Sequence, residues 1–241
     1  MHEIMEQSIF AYGEPASGGA VPLVNSFQTK QDYAYQCIKD HILYGHFKSG
    51  ERLEIRDLAE KYGVRTTPIR AALIRLQADG LVTYTTHSGA RVEKLKLHDV
   101  LDAHTAMGAL QGLAAARAAQ RHTPADIARL QAFLDEFERM PQSESPVFYN
   151  RLNFLFHRAI VEIGQYKILL PTMEGLFDVL RRAECVWIGV ECYRDQSLQE
   201  HREIFQAIAG GNADQARACS ERHYQRLRRD LESHVLQMEN Q

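Results

Sequence analysis

Short apolar runs with helical spacing, each closed by a glycine, fill residues 30–80 and constrain the fold more than any other feature. The glycines are Gly45, Gly63 and Gly80, and glycine is the residue that most easily adopts the left-handed conformation of a helix end. Residues 81–94 then alternate in polarity around a Ser-Gly turn, which predicts a β-hairpin. Three short helices followed by a hairpin predict a winged helix-turn-helix.

The start of the predicted third helix is polar and basic. In a helix-turn-helix, the first residues of this helix contact the DNA bases. We expect Thr66 or Thr67 to cap the helix, with Pro68 in its first turn, where the missing N–H costs nothing. Together with Arg65 and Arg70, the threonines can reach phosphates or base edges in the major groove. The alternative is a solvated, charged helix on a winged helix that binds protein.

The net charge of −3 is unevenly distributed along the chain. Residues 1–27 hold three acidic and no basic residues, residues 28–96 hold 12 basic and 8 acidic ones, and residues 97–241 hold 16 and 20. We predict a flexible arm, a basic DNA-binding domain and a larger acidic domain over these three ranges. A surplus of four positive charges attracts DNA only moderately, so two copies should act together.

Cysteine usage and hydropathy indicate a cytoplasmic protein. The four cysteines form no C-x-x-C pair, which argues against a zinc ribbon or a dithiol redox site. No run of about 18 apolar residues is present to span a bilayer. The acidic first 27 residues are the reverse of a signal peptide.

From His98 onward the pattern is helical, and we predict an all-α bundle of six or seven helices with a cavity for a small ligand. His157, His201 and His223 each begin or interrupt an apolar face, and Asn153 lies one helical turn before His157. Imidazole nitrogens suit zinc, nickel, iron or copper, so these four residues are a candidate metal site. The alternative, in a chain with 11 histidines, is three unrelated helix histidines.

Residues 57–73 (DLAEKYGVRTTPIRAAL) and 76–82 (LQADGLV) closely resemble the DNA-binding module of GntR-family transcription regulators. The resemblance implies DNA contacts by Arg56, the Thr67-Pro68 pair and Arg70, and a wing tip at Gly89 that reaches the minor groove. His87, in the same hairpin, is a further candidate contact. Where the family usually has Ser-Arg, this chain has Arg65-Thr66, so the base-reading arginine is displaced by one position or lost.

The helical region is similar to the FCD class, the effector domain of FadR-type GntR regulators. The resemblance implies a metal site of Asn153, His157, His201 and His223, with asparagine where the family usually has aspartate, and zinc or nickel as the expected ion. Many members also carry R-x-x-L-E in the first effector-domain helix, where this chain has MGALQ at residues 107–111. The carboxylate-binding arginine is therefore absent there. Candidate pocket residues are Met107, Gln111 and His104; for His104 an interior packing role is equally open.

These features predict a ligand-responsive transcription regulator and not an enzyme, because no general base is identifiable beside the candidate ligands. We expect a homodimer on palindromic operator DNA, with no membrane association. We expect it to act as a repressor that leaves its operator DNA when a small anionic carboxylate binds at or near the metal. The alternative is a regulator for which the cation itself is the signal.

Overall fold

The computed structural model of the chain describes residues 29–85, 89–141, 146–187 and 194–239. The described residues form two compact units, the first ending at Lys94 and the second beginning at Leu95. The predicted arm over 1–27 and the candidate contact His87 lie outside the described residues.

The described part of the first unit contains the three predicted helices. They are α1 (Lys30–Leu43), α2 (Ile55–Lys61) and α3 (Thr66–Ala78). The start of α1 is fixed by Thr29, whose hydroxyl accepts a hydrogen bond from the Asp32 backbone N–H at 3.1 Å. A capped start is needed here because the first N–H groups of a helix have no partner within it.

The turn between α2 and α3 depends on Gly63, whose φ of 63° lies in the left-handed region that favours glycine. Only Val64 and Arg65 then separate this glycine from α3, and Arg65 occupies the N-cap position without a side-chain cap bond. The expected cap by Thr66 or Thr67 is therefore wrong. Both threonines already lie in the first helical turn, with exposed side chains.

The predicted hairpin is present and gains a strand that the sequence did not indicate. Strands β2 (Val82–Thr85) and β3 (Gly89–Val92) pair antiparallel, with Val82 opposite Val92. On its other side β3 pairs with β1 (Arg52–Leu53), so the strand order is β1-β3-β2. Three helices and this small sheet form a winged helix-turn-helix, as predicted.

The core of this unit determines which face of α3 is available to a partner. Ile69, Leu73 and Leu76 are completely buried against the other helices and the sheet. Arg70 and Ile74 project from the opposite face of the same helix and are exposed. The packing therefore presents the basic start of α3 to solvent.

The second unit is all-helical within its described residues and confirms the predicted bundle. Its helices are α4 (Leu97–Arg121), α5 (Pro124–Arg139), α6 (Pro146–Gly164), α7 (Leu169–Trp187), α8 (Arg194–Ala209) and α9 (Ala213–Glu239). A capping box at Thr123 and Asp126 starts α5, with Pro124 in the first turn. In the described part of the chain, no helix is both long and apolar enough to cross a bilayer.

Helices α4 and α9 approach closely because α4 carries two glycines on the face that meets α9. A Cβ atom at Gly108 would lie 3.1 Å from the Tyr224 Cβ, and one at Gly112 would lie 2.9 Å from the Glu221 Cγ. Both distances are shorter than ordinary carbon contacts. The small residues thus allow the segment of α9 around His223 to lie against α4.

The contrast between Leu73 and Ile74 gives a direct test of the winged-helix core. We expect Leu73→Ala to lower the free energy of unfolding by about 2–5 kcal/mol, because a fully buried leucine leaves a cavity when it is truncated. The adjacent Ile74 is 58% exposed, so Ile74→Ala should change stability by no more than about 0.5 kcal/mol. Urea unfolding followed by circular dichroism measures both, and similar losses for the two variants would contradict this packing.

Candidate functional site

Three histidines from three different helices meet in the interior of the second unit. His157 of α6, His201 of α8 and His223 of α9 are at most 1% exposed. Their ring centroids are 5.0–5.2 Å apart, and one candidate ligand atom of each lies within 4.8 Å of the others. Two nitrogens bound to one tetrahedral zinc ion, at about 2.0–2.1 Å each, lie roughly 3.4 Å apart. The candidate ligand atoms of the His157–His201–His223 cluster would therefore have to draw together by up to about 1.4 Å to share one ion.

Burial keeps these imidazoles uncharged at neutral pH. The pKa values of His157 and His201 lie well below the ordinary value, because the buried site disfavours the charged ring. The pKa of His223 is also lowered by burial, although Glu200 opposes that effect. Neutral imidazole is the form that binds metal ions.

Glu200 determines the orientation of the His223 ring. The Nδ1 of His223 lies 2.6 Å from the Glu200 Oε2, so this nitrogen carries the ring proton and its N–H donates a hydrogen bond to the carboxylate. Arg226 donates to both oxygens of the same carboxylate, at 2.6 and 2.8 Å. Burial raises the pKa of Glu200, but the hydrogen bonds and charges of His223 and Arg226 outweigh burial and lower it overall. The Nε2 of His223 is consequently left as a lone-pair donor facing the cluster.

Gln111 of α4 contacts His157 from outside the cluster. Its Nε2 donates to the His157 backbone carbonyl at 3.0 Å and lies 3.2 Å from the His157 Nδ1. Its Oε1 is buried and has no hydrogen-bond partner in the described part of the chain. An amide N–H at this distance from Nδ1 pairs with the lone pair of that nitrogen, which leaves the ring proton on the His157 Nε2. The contact with Gln111 therefore bears on which His157 nitrogen is free to bind a cation.

Four ring nitrogens of the cluster are buried without a hydrogen-bond partner among the described residues. They are the Nε2 of His157, both nitrogens of His201 and the Nε2 of His223. Buried polar groups are nearly always paired, and each unpaired group costs about 1–3 kcal/mol. A divalent cation bound by three imidazoles satisfies one nitrogen on each ring, so this donor set fits a transition metal.

A small pocket lies beside the cluster and contains some of the remaining predicted residues. Asn153 and His104 line this pocket, together with His223. Burial lowers the pKa of His104 to about 3, so this ring is also neutral. Met107 is completely buried and does not line the pocket, and Gln111 reaches His157 instead.

The predicted DNA contacts that are described lie on one unit and are accessible. Arg56 on α2 is exposed, as are Arg65, Thr66, Thr67 and Arg70 at the start of α3, with Pro68 half-buried among them. Gly89, with φ of 81°, begins β3 at the wing. In contrast, Arg52 and Arg75 form ion pairs with Glu54 and Asp32.

Comparison with known families assigns both units. Residues 30–92 match the model of bacterial regulatory proteins of the gntR family, and residues 102–226 match the FCD domain. The chain belongs to the GntR family and carries an FCD domain. It is a DNA-binding transcription regulator. The domains that it matches belong to transcription regulators, and the relatives that it matches are themselves regulators, not enzymes.

Individual GntR regulators support this assignment. The chain is 30% identical over 199 residues to the HTH-type transcriptional repressor GlaR of Escherichia coli, covering 78% of this chain and 90% of GlaR. It is also 30% identical over 181 residues to the Nta operon transcriptional regulator of Aminobacter aminovorans, covering 75% and 84%. The solved structure of Escherichia coli McbR/YncC shares the fold, with a TM-score of 0.75 and 22% identity over 86% of this chain and 99% of that one.

Three features of the FCD site were missed by sequence reasoning: the Glu200–Arg226 pair, the amide of Asn150 and the guanidinium of Arg181. Glu200 and Arg226 are 26 residues apart, and Arg181 reaches the pocket from a separate helix. The only sequence signal was the position of Glu200 immediately before His201.

The role of Glu200 is testable by metal binding. We expect Glu200→Gln to weaken Zn²⁺ or Ni²⁺ binding about 10- to 100-fold, because the hydrogen bond that fixes the His223 ring is replaced by a weaker, neutral one. Glu203→Gln is the matched control, because Glu203 lies on the same helix and pairs with Arg222 at the surface. Competition titration against a chromogenic chelator measures both affinities. Equal affinities for the two variants would contradict the proposed role.

Proposed function

We propose that two copies of this regulator bind a palindromic operator in the cytoplasm and release it when a small carboxylate binds at a metal in the FCD domain. The observation that carries this proposal is the His157–His201–His223 cluster, with its buried, unpaired and uncharged ring nitrogens. The metal would be zinc or nickel, held by the three imidazoles and by Asn153.

The exposed start of α3 supports the DNA-reading part of the proposal. Arg65, Thr66, Thr67 and Arg70 lie together on the solvent face, while the opposite face is fully packed. One such module makes few base contacts, and the 28–96 region has only four more basic than acidic residues. Two modules on a symmetric site multiply both affinity and specificity.

The charge of the cluster favours an anionic effector. All of the proposed metal ligands are neutral, and the nearby carboxylate of Glu200 is already paired with Arg226. A bound divalent ion would supply an uncompensated positive charge and open coordination positions. A carboxylate neutralises this charge and fills an open coordination position. Its binding changes operator affinity only if the carboxylate binds one conformation of the dimer more tightly than the other.

A second candidate function is metal sensing, and the neutral Asn153 favours it. An amide oxygen holds a cation more weakly than a carboxylate does, so the ion exchanges more readily. Operator affinity would then follow the free metal concentration without any organic ligand.

The DNA-reading face is tested by removing one arginine. We expect Arg70→Ala to weaken operator binding by about 1–3 kcal/mol, or roughly 5- to 150-fold, because an exposed arginine at the start of the recognition helix is lost. Arg139→Ala, which removes an exposed arginine from the FCD domain, should have no such effect. Fluorescence anisotropy with the operator at fixed salt compares them. If both variants bind like the original chain, α3 is not the reading helix.

The effector is tested by two titrations of the protein–operator complex. At constant saturating Zn²⁺, a panel of carboxylates with two to six carbons should include at least one that releases the operator, and its neutral amide should not. Varying Zn²⁺ without any carboxylate should leave binding nearly constant. Release by Zn²⁺ alone would favour the metal sensor over the carboxylate sensor.

A further inference from the structure

The pocket beside the histidine cluster has a volume of about 20 Å³, which is room for one water molecule or for one end of a short ligand. His223 belongs to both the cluster and the pocket, so a ligand in the pocket lies next to the proposed metal. Four helices contribute to the wall. The lining residues with polar side-chain atoms are His104, Asn150, Asn153, Arg181, His223 and Tyr224.

Arg181 is the cationic side chain in this wall. It reaches the pocket from α7, and only 13% of its side chain is exposed. Its guanidinium lies 4.4 Å from the centre of the Phe154 ring and pairs with Asp178, one helical turn earlier. Stacking on Phe154 orients the planar group, which lowers the entropy cost of binding a ligand, whereas the Asp178 carboxylate competes with a ligand for it.

The amide of Asn150 in the same wall complements a negative charge. Its nitrogen is buried and has no hydrogen-bond partner in the described ranges. Asn150 is only 2% exposed. No aspartate or glutamate lines the described wall. An arginine and an unpaired N–H donor together favour a carboxylate over a neutral apolar ligand, although the Asp178 carboxylate competes for the arginine.

We infer that Arg181, assisted by Asn150, recognises the carboxylate of the effector and replaces the cation that is missing at Met107 on α4. This inference rests on the proposed function, because it assigns the anion-binding residue of the same site. The incoming carboxylate shares the guanidinium with Asp178 or displaces it. The small volume favours short-chain acids over bulky ones.

The inference is tested by calorimetric titration of the Zn²⁺-loaded, full-length protein with the carboxylates of two to six carbons. Arg181→Gln should weaken binding of the tightest acid at least about tenfold, because a charged hydrogen bond is lost. The affinity of Arg181→Lys for the acid should fall between those of Arg181→Gln and the original chain. Lysine keeps the positive charge but lacks the planar guanidinium that can donate two parallel hydrogen bonds. Zn²⁺ affinity, measured separately, should not change in either variant.

Arg158→Gln is the matched control, because Arg158 pairs with Glu162 and does not line the pocket. If Arg181→Gln binds the acid within twofold of the Arg158→Gln control, the inference is overturned while the proposed function stands. If no acid binds the original Zn²⁺-loaded chain, the proposed function fails first, and the inference fails with it.

A second variant keeps the test informative if Arg181→Gln does not fold. Asp178→Asn keeps the guanidinium and removes the carboxylate that competes for it. We expect this variant to bind the acid as tightly as the original chain or more tightly. Loss of acid binding by a folded Asp178→Asn protein would overturn the recognition role, because the guanidinium is then present without the carboxylate that competes for it.

Discussion

Burial of imidazole nitrogens without hydrogen-bond partners is the constraint on which the FCD domain depends. Four such nitrogens lie in the His157–His201–His223 cluster as described. At about 1–3 kcal/mol each, their combined cost is comparable with the whole stability of a typical domain. A fold retains such a cluster when binding a ligand compensates that cost, and a divalent cation is the ligand that three converging neutral imidazoles fit best.

Glu200 directs a lone pair of His223 into the cluster, and the residues around the cluster leave the charge of a bound ion uncompensated. Glu200 accepts a hydrogen bond from the His223 Nδ1–H, and its own charge is balanced by Arg226. Gln111 is neutral and contacts His157 on its outer side. In the site that we propose, an anion attracted to the metal reaches the guanidinium of Arg181 in the adjoining pocket. The histidines would then hold the metal and Arg181 would recognise the anion, so a substitution of Arg181 should affect effector binding alone.

Local sequence patterns predicted the helices because the interactions that start and end them are local. The capping box at Thr123 and the turn at Gly63 each involve residues within a few positions of one another. The strand β1 was missed because two residues are too few to show alternation. The N-cap of α3 was misplaced because the short turn after Gly63 fixes where the helix begins, whatever side chain stands there.

The candidate site was only partly accessible from the sequence. The three histidines were selected from their positions on helical faces and from the family pattern, and the structure brings them together. The contact between Gln111 and His157 spans 46 residues, and it depends on how α4 packs against α6. The same holds for Arg181, which lies in the pocket because of the placement of α7. No spacing rule within one helix contains that information.

X-ray absorption spectroscopy at the zinc edge, on the full-length protein loaded with one equivalent of Zn²⁺, tests the metal centre most directly. Three imidazole nitrogens at about 2.0–2.1 Å are predicted, together with one or more oxygen ligands. His201→Ala should lose bound zinc on desalting. A spectrum with fewer than two imidazole ligands, or equal zinc retention by His201→Ala, would contradict the assignment of the cluster as a metal site.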